Sequence, residues 1–404
     1  MVNSCIPEAG IEDYAGRLIV NKAKQRVPLI GVFEPTFRCN NRCMHCYVNK
    51  GANDRRERRK ELTYSQISRI LDEMAEEGCL FLLFTGGEPL IRKDFTQIYT
   101  YAKKKGFLIT LFSNGTLIDH ALADFLRDWP PHSIEITLYG MSEGVYEEVT
   151  RVRGSYARCM KGIELLVERN LPLKLKAMIL TLNRHQLDEM RAFAENLGLE
   201  FRFDPLVHQR IDGRGNPAKL RLSPRKVVQL DLDDEKRRIE MFDLYQRSAK
   251  APVNPEFLFR CGAGVNSFHV DPYGLLHICG MVRHPSYDLI NGSLREAWHS
   301  FLPEVRAQTW KKDDPCAHCN FHVFCGQCPG WSQLEHGDSE KPVEYLCQVG
   351  HLRAELFRRE NMNKKPFHAE VGGEKNEKKD QEKVRKAGSY QGSVRNKDIG
   401  LSRL

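Results

Sequence analysis

Residues 29–48 read LIGVFEPTFRCNNRCMHCYV, an apolar segment followed at once by three closely spaced cysteines. The run at residues 29–33 predicts a buried β-strand. Cys39, Cys43 and Cys46 follow in a CxxxCxxC pattern, in a loop that can turn three thiolates inward. Thiolates are the usual ligands of iron–sulfur clusters, and three of them leave one iron of a four-iron cubane open to a small molecule. The alternative is a structural zinc site with His45 as the fourth ligand, although common zinc ribbons space their cysteines differently.

Apolar runs alternate with amphipathic segments from residue 29 to residue 206. The predicted strands are residues 29–33, 80–84, 107–112, 134–138, 173–180 and 200–203, and the predicted helices are residues 64–77, 94–105, 119–128, 155–168 and 184–197. This alternation predicts an α/β fold with a parallel sheet. Because no break occurs near its middle, we expect a partial (β/α)6 TIM-like barrel rather than an open doubly wound sheet. Functional residues should then lie at the C-terminal ends of the strands.

The composition and the apolar runs exclude several classes of protein. The chain has 404 residues, of which 41% are hydrophobic, so most of it can bury a core. No apolar run reaches the roughly 18 to 20 residues of a membrane span, and the N-terminus lacks a secretion signal. We therefore expect a cytoplasmic protein. In a reducing compartment its 13 cysteines favour metal or redox roles over disulfides.

The net charge of +8 is concentrated at the C-terminus, where residues 361–404 hold 11 Lys or Arg against 6 Asp or Glu. We predict a solvated, disordered tail there, with a basic arm that contacts an acidic partner as the alternative. The full division is an N-terminal lead (1–28), the partial barrel (29–206), a polar bridging segment (207–260), a loop-rich cysteine region (261–360) and the tail (361–404). A nucleic-acid binder is disfavoured, because no stripe of aromatic and basic residues accompanies the charge.

Two further motifs accompany the first cysteine group. Tyr47 directly follows the third cysteine, and Gly86-Gly87-Glu88-Pro89 closes the second predicted strand. Together with CxxxCxxC they resemble the signature of the radical S-adenosylmethionine (SAM) enzymes. The resemblance implies a 4Fe-4S cluster that binds SAM and cleaves it to a 5′-deoxyadenosyl radical, with an external electron donor such as flavodoxin or ferredoxin. It assigns the GGEP turn to the methionine amino group, with Glu88 as a hydrogen-bond acceptor.

The same resemblance extends to later strand ends. Ser113 and Asn114, in a Ser-Asn-Gly-Thr segment, match a segment that lies near the ribose, and a simple turn is the alternative. Thr137 stands where many relatives have Ser-x-Asp-Gly near the SAM carboxylate, but here Tyr139 replaces the Asp. An Arg that pairs with this carboxylate would be Arg151 or Arg153, and the spacing does not choose between them. Asn183 is a further predicted ribose contact.

A second group of cysteines occupies the C-terminal region. Cys261, Gly274-x4-Cys279, Cys316-x2-Cys319-x5-Cys325-x2-Cys328 and Cys347 resemble the SPASM extension of radical SAM enzymes, except that two residues rather than three precede Cys328. The resemblance implies two auxiliary 4Fe-4S clusters. Cys316, Cys319, Cys325 and Cys347 would hold one. Cys261, Cys279 and Cys328 would hold the other, with either an open iron or a fourth ligand that is not a cysteine. The alternative is a zinc knuckle built from two CxxC pairs.

Three cysteines, Cys5, Cys79 and Cys159, match no motif, and we expect them to pack as small hydrophobic residues. The resemblance implies an enzyme that modifies a peptide or protein by crosslinking, thioether formation, epimerisation or oxidation, with a separate leader-peptide recognition protein as a possible partner. The alternatives are a tetrapyrrole side-chain modifier of haem biosynthesis and a non-catalytic iron–sulfur scaffold or redox sensor. No Asp, Glu or Tyr stands out as a catalytic base.

Overall fold

The computed structural model describes residues 21–22, 24–248, 256–311, 316–319 and 321–363. Cys5 and the predicted tail from residue 364 onward lie outside the described residues. The strands are β1 (Ile30–Thr36), β2 (Arg38–Cys39), β3 (Lys50–Gly51), β4 (Phe81–Gly86), β5 (Leu108–Ser113), β6 (Ser133–Leu138), β7 (Leu173–Met178), β8 (Glu200–Asp204), β9 (Ser267–Val270), β10 (Leu275–His277) and β11 (Tyr287–Asp288).

Helices follow most of these strands. They are α1 (Arg55–Lys60), α2 (Tyr64–Glu76), α3 (Phe95–Lys104), α4 (His120–Asp128), α5 (Glu143–Thr150), α6 (Ser155–Glu168), α7 (Leu187–Asn196), α8 (Pro224–Asp233), α9 (Glu235–Ser248), α10 (Leu294–Glu296), α11 (Leu302–Arg306), α12 (His322–Cys325), α13 (Pro329–His336) and α14 (Glu344–Asn363). Within the described part of the chain, no helix is both long and apolar enough to cross a bilayer.

One sheet of nine strands organises the molecule, in the order β11-β10-β9-β1-β4-β5-β6-β7-β8. The six strands from β1 to β8 in this order are parallel and adjacent in chain order, which is the topology of a barrel wall rather than of a doubly wound sheet. The predicted α/β class and the parallel strand arrangement are therefore confirmed. Since β8 does not pair with β11, the sheet stays open at its two edges.

The two faces of the sheet have different chemistry. Alternate residues such as Phe33, Leu82, Leu111 and Ile136 point to the helices and form one continuous buried core with them. Their neighbours along each strand face the inside of the curved sheet, where charged residues are frequent. Cys79 and Cys159 are 7% and 0% exposed within the helix-side core, as expected for cysteines that pack as hydrophobic residues.

The region from residue 261 onward contains more regular structure than its sequence predicts. β9 lies parallel to β1, with Ile30 opposite Ser267, so this region extends the same sheet. β10 and β11 continue it in antiparallel fashion. The last described helix, α14, runs to residue 363, past the predicted start of the tail at residue 361. Local patterning did not reveal β9, because its pairing partner lies more than two hundred residues earlier in the chain.

Candidate functional site

The first cysteine group lies directly after β1, at the C-terminal edge of the sheet. Arg42 and Met44 in this loop donate backbone hydrogen bonds to Thr150 and Val149 at the end of α5 (2.9 and 3.0 Å), which anchors the loop across the barrel mouth. The Cys46 amide also donates to the Cys43 carbonyl (3.1 Å). The three predicted ligands are thus held in one tight loop at the edge where the strands end.

N–H groups point at two of the three sulfurs. The Asn41 amide lies 3.3 Å from Cys39 Sγ, the Asn49 amide 3.2 Å from Cys46 Sγ, and the Asn114 side-chain amide 3.7 Å from Cys39 Sγ. Such donors stabilise thiolates and tune iron–sulfur clusters. They give the donor set the chemistry that a cluster requires.

Burial governs the protonation of these thiols. Burial, with a smaller contribution from the nearby Glu88 carboxylate, raises the pKa of Cys39 to about 12. Burial also raises the pKa of Cys43, and charge on Cys46 and Cys39 adds to this effect, so the three sulfurs lie within electrostatic range of one another. Without a cation the thiols stay protonated, and binding of a metal would release protons.

The GGEP turn is built against the cysteine loop through its backbone. Gly87 and Glu88 donate hydrogen bonds to the carbonyls of Thr36 and Arg38 (2.8 and 2.9 Å). Gly86 has φ = 110°, and a Cβ atom on Gly87 would lie 2.3 Å from the Arg38 carbonyl oxygen. Glycine is required at both positions, at Gly86 for its conformation and at Gly87 for the close approach of two backbones. Pro89 then begins a short 3₁₀ turn, Pro89–Ile91.

The Glu88 carboxylate is fully buried and joins the GGEP turn to the end of β5. It accepts hydrogen bonds from Ser113 Oγ (2.9 Å), the Asn114 amide (2.7 Å) and the Leu90 amide (3.2 Å). Burial raises its pKa to about 7, which these hydrogen bonds only partly offset. The side chain therefore positions the Ser113–Asn114 segment, and its predicted contact with a methionine ammonium stays a prediction.

Tyr47 is directed away from the cysteines and toward a buried carboxylate that the sequence analysis missed. Its hydroxyl donates to Glu34 Oε1 (2.5 Å), while His269 Nε2 and the Arg283 guanidinium lie 2.7 and 3.1 Å from Glu34 Oε2. Burial alone would raise the pKa of Glu34, but the positive charges of His269 and Arg283 outweigh it and hold the pKa at about 2. A lone Glu inside the apolar run of β1 was the available signal for this network.

The remaining predicted SAM contacts have different surroundings. Thr137 lies on the inner face of β6 and is partly exposed. Asn183 is 0% exposed, and its side chain is occupied by the carbonyls of Tyr139 and Met178 and by the Leu180 amide. The Asn183 side chain holds the loop after β7, and its predicted ribose contact stays a prediction.

Arg151 and Arg153 follow α5, and Arg151 adopts a left-handed conformation (φ = 58°). Both side chains are exposed, and neither has a hydrogen-bond or ion-pair partner among the residues that the structure describes. The structure brings them to the cysteine-loop side of the barrel without choosing between them. His45, the alternative fourth ligand, packs its ring against Tyr139 with centroids 5.1 Å apart.

The seven C-terminal cysteines fall into two groups by their electrostatic influence on neighbouring side chains. Burial raises the pKa values of Cys279 and Cys328, and charge on Cys261 raises both further. Burial likewise raises those of Cys325 and Cys347, and charge on Cys319 adds to both. Cys316 belongs with the second group, since it acts on Arg260 together with Cys319 and Cys325.

These groupings rest on electrostatic proximity. Across the described ranges, no set of three or more His, Cys, Asp or Glu side chains is arranged to hold a metal ion. A zinc ion needs its sulfurs about 2.3 Å from one point, whereas a four-iron cluster binds each thiolate through a different iron. The zinc knuckle stays the alternative to the two clusters.

Comparison with known proteins places this site in context. Residues 33–197 match the Radical SAM superfamily. The chain is 25% identical over 323 residues to the antilisterial bacteriocin subtilosin biosynthesis protein AlbA of Bacillus subtilis, covering 75% of this chain and 67% of that protein. It is 29% identical over 175 residues to the Fe-coproporphyrin III synthase of Methanosarcina barkeri, covering 43% of this chain and 42% of that protein.

Solved structures with this fold include Streptococcus suis SuiB bound to the precursor peptide SuiA. The TM-score is 0.61 at 17% sequence identity, and the alignment covers 83% of this chain and 80% of that one. At this identity the similarity concerns the fold, which extends through both the barrel and most of the C-terminal region.

Proposed function

We propose that this chain is an enzyme of the radical SAM superfamily that cleaves SAM reductively and uses the resulting radical to modify a peptide or protein. The observation that carries this proposal is the joining of the three-cysteine loop to the GGEP turn by backbone hydrogen bonds, with thiols and donors matched to a cluster. When bound, the cluster and SAM supply a 5′-deoxyadenosyl radical that removes a hydrogen atom from the substrate.

The chain's own residues bind and orient these groups. Cys39, Cys43 and Cys46 would hold the cluster, and the backbone of Gly86, Gly87 and Pro89 would face the methionine amino group. Glu88 fixes Ser113 and Asn114, the proposed ribose contacts, at the end of β5. Tyr47, bonded to Glu34, braces the loop that carries the cysteines. Thr137, Arg151 or Arg153 would meet the SAM carboxylate, and Asn183 would act through the loop after β7.

We further infer two auxiliary 4Fe-4S clusters. Cys316, Cys319, Cys325 and Cys347 would ligate one, and Cys261, Cys279 and Cys328 the other, in line with their electrostatic grouping. Clusters of this kind require a reducing compartment, which supports a cytoplasmic location. Reductive cleavage of SAM would require an external electron donor such as flavodoxin or ferredoxin. A separate leader-peptide recognition protein is the remaining proposed partner.

A peptide substrate is favoured over a tetrapyrrole by the extent of similarity. The subtilosin protein matches 75% of this chain, including part of the C-terminal cysteine region, whereas the coproporphyrin enzyme matches 43%. Since the first alignment is longer than the barrel, the similarity extends past the part of the chain that would hold SAM. Binding of an iron porphyrin with a shifted Soret band, together with no turnover of any peptide, would favour the tetrapyrrole alternative.

Anaerobic reconstitution tests the proposal. We expect about twelve irons and about twelve sulfides per chain, since each 4Fe-4S cluster contributes four of each. Replacing Cys39, Cys43 and Cys46 by Ala should remove about four irons and abolish dithionite-dependent formation of 5′-deoxyadenosine. Cys316→Ala with Cys319→Ala should remove about four others.

The matched control is Cys159→Ala, a buried cysteine outside all three groups, which should leave the iron content unchanged. SAM cleavage that persists in the triple variant would place the radical chemistry elsewhere. A single bound zinc without sulfide would exclude the clusters altogether.

A further inference from the structure

The inner face of the open sheet carries a row of polar side chains that the SAM motifs do not account for. Along β6, Ile134, Ile136 and Leu138 point to the helices, so Glu135 and Thr137 point inward. In register, Thr137 lies opposite Lys176 on β7, and Lys176 lies opposite Arg202 on β8. Lys176 and Arg202 therefore continue the row that begins at the predicted SAM residue Thr137.

These two cations share one carboxylate and one aromatic ring. Glu135 Oε2 lies 2.6 Å from Arg202 Nη2, 3.2 Å from Arg202 Nε and 3.5 Å from Lys176 Nζ. Phe112, opposite Glu135 on β5, lies beneath both cationic groups. The carboxylate, the ring and the two cations form one packed cluster on the inner face of β5 to β8.

The charges in this cluster do not balance. Glu200, in the row of Lys174 and Glu135, already lies 3.0 Å from Lys174 and 3.5 Å from Lys236, while Glu135 is the carboxylate that Lys176 and Arg202 share. Burial lowers the pKa of Lys176 to about 7, and the attraction of Glu135 only partly offsets this effect. A second carboxylate would restore the stabilisation that the ammonium group has lost.

A ligand can reach these groups. The side chains of Lys176 and Arg202 are 16% and 33% exposed to solvent, while that of Glu135 is 10% exposed. Deeper on the same face, the hydroxyls of Thr110 and Ser133 are buried opposite each other without a hydrogen-bond partner among the described residues. The inner face thus offers unused polar groups as well as unbalanced positive charge.

We propose that Lys176 and Arg202 bind a carboxylate of the substrate, either an acidic side chain or the C-terminal carboxylate of a peptide, in the row that begins at Thr137. Glu135 holds the two cations in place until that carboxylate arrives. The inference rests on the proposed function for its peptide substrate, and it names the chemistry that would place the substrate beside the SAM site. It makes Lys176 and Arg202 determinants of substrate specificity.

Binding of small probes to the reconstituted full chain, without SAM, tests this directly. The probes are N-acetyl-glutamate N-methylamide for a side-chain carboxylate, N-acetyl-alanine for a terminal one, and N-acetyl-glutamine N-methylamide as the neutral match, titrated by ligand-observed NMR. We expect at least one acid to bind tenfold or more tightly than the neutral amide. Lys176→Met and Arg202→Met should each weaken that binding about tenfold or more.

Glu135→Gln supplies a readout that a purely structural role would not give. It removes the competing internal carboxylate with little change in shape, so acid binding should tighten severalfold. Lys161→Met, which removes an exposed lysine on α6, should leave binding unchanged. If Lys176→Met fails to fold, Arg202→Met decides the test, because the Arg202 side chain is one-third exposed.

The proposal is overturned if acids and amide bind equally, if no acid binds, or if the folded Lys176 and Arg202 variants keep wild-type affinity. Because SAM is absent from the titration, these outcomes are independent of SAM cleavage. If the chain cleaves SAM but shows no preference for carboxylates, the proposed function stands and this inference fails.

Discussion

At the scale of single residues, Glu34 is the buried charge on which the barrel mouth depends. It is 0% exposed and accepts contacts from Tyr47, His269 and Arg283. Glu34→Gln keeps the shape but removes the carboxylate that forms an ion pair with the buried Arg283 guanidinium. We expect the free energy of unfolding in urea to fall by about 3 to 5 kcal/mol. The exposed Glu164→Gln is the control and should change it by less than about 0.5 kcal/mol.

The same carboxylate gives a prediction for pH. Its pKa is about 2 in the folded chain against 4.5 as the ordinary value, so its stabilising effect is present above pH 4.5 and is lost as the pH falls toward 2. The stability difference between wild type and Glu34→Gln should therefore shrink through this window. A difference that stayed constant from pH 7 down to pH 3 would show that the charge of Glu34 does not stabilise the fold.

The sequence predicted a residue's role where the residues that determine it are neighbours in the chain. CxxxCxxC and GGEP are contiguous, so the sequence revealed the residues of the candidate site before the structure joined them. Glu34 meets Arg283 and His269 across more than two hundred residues, and no local pattern reports such a pairing. Likewise Glu88 was recognised by its motif, but its hydrogen bonds to β5 required the parallel register of the sheet.

At the scale of elements, the close approach of the GGEP turn to β2 gives a steric prediction. A Cβ atom on Gly87 would lie 2.3 Å from the Arg38 carbonyl oxygen and 2.5 Å from that of Phe37, so Gly87→Ala must displace the strand that carries Cys39. We expect at least a tenfold loss of 5′-deoxyadenosine formation. Gly51→Ala on β3, where a Cβ meets nothing within 4 Å, should keep the wild-type rate. Equal rates of 5′-deoxyadenosine formation in the two variants would show that the turn accommodates the added methyl group without displacing the strand that carries Cys39.

The start of α2 gives a second prediction for an element. Thr63 Oγ1 accepts a hydrogen bond from the Gln66 amide, and Gln66 Oε1 accepts one from the Thr63 amide, which completes a capping box. Thr63→Ala should lower the free energy of unfolding by about 1 kcal/mol, measured by urea denaturation. Thr63→Ser should restore most of it, since the hydroxyl is kept. A Ser variant as unstable as the Ala variant would assign the effect to the lost methyl group.

Elements with strong local patterns were predictable, and those that depend on distant partners were not. The two ends of each of the six predicted strands lie within three residues of the ends of an observed strand. Apolar runs between amphipathic helices are a clear pattern in the sequence. The helix α5 was missed, since its eight residues, EGVYEEVT, bury only Tyr146, Val149 and Thr150. Its importance lies in its C-terminal carbonyls, which anchor the cysteine loop.

At the scale of the whole molecule, the last third of the chain packs against the first third. β9 extends the sheet next to β1, and Arg283 reaches Glu34, so the cysteine-rich region is continuous with the barrel mouth. On the other side, α14 packs on α8 and α12. A cluster held in this region would therefore depend on contacts from helices outside it.

Arg353 on α14 makes that dependence testable. It is 4% exposed, and it donates to Asp231 on α8 and to the Phe324 carbonyl beside Cys325 (both 2.8 Å). Arg353→Met should release α12 and lower the reconstituted iron by about four per chain, while the EPR signal of the reduced SAM-binding cluster persists. Arg358→Met, an exposed position on the same helix, is the control and should keep the full iron content. Loss of all iron in Arg353→Met would instead show that the barrel and the cysteine region fold as one cooperative unit, in which the cluster sites cannot fail separately.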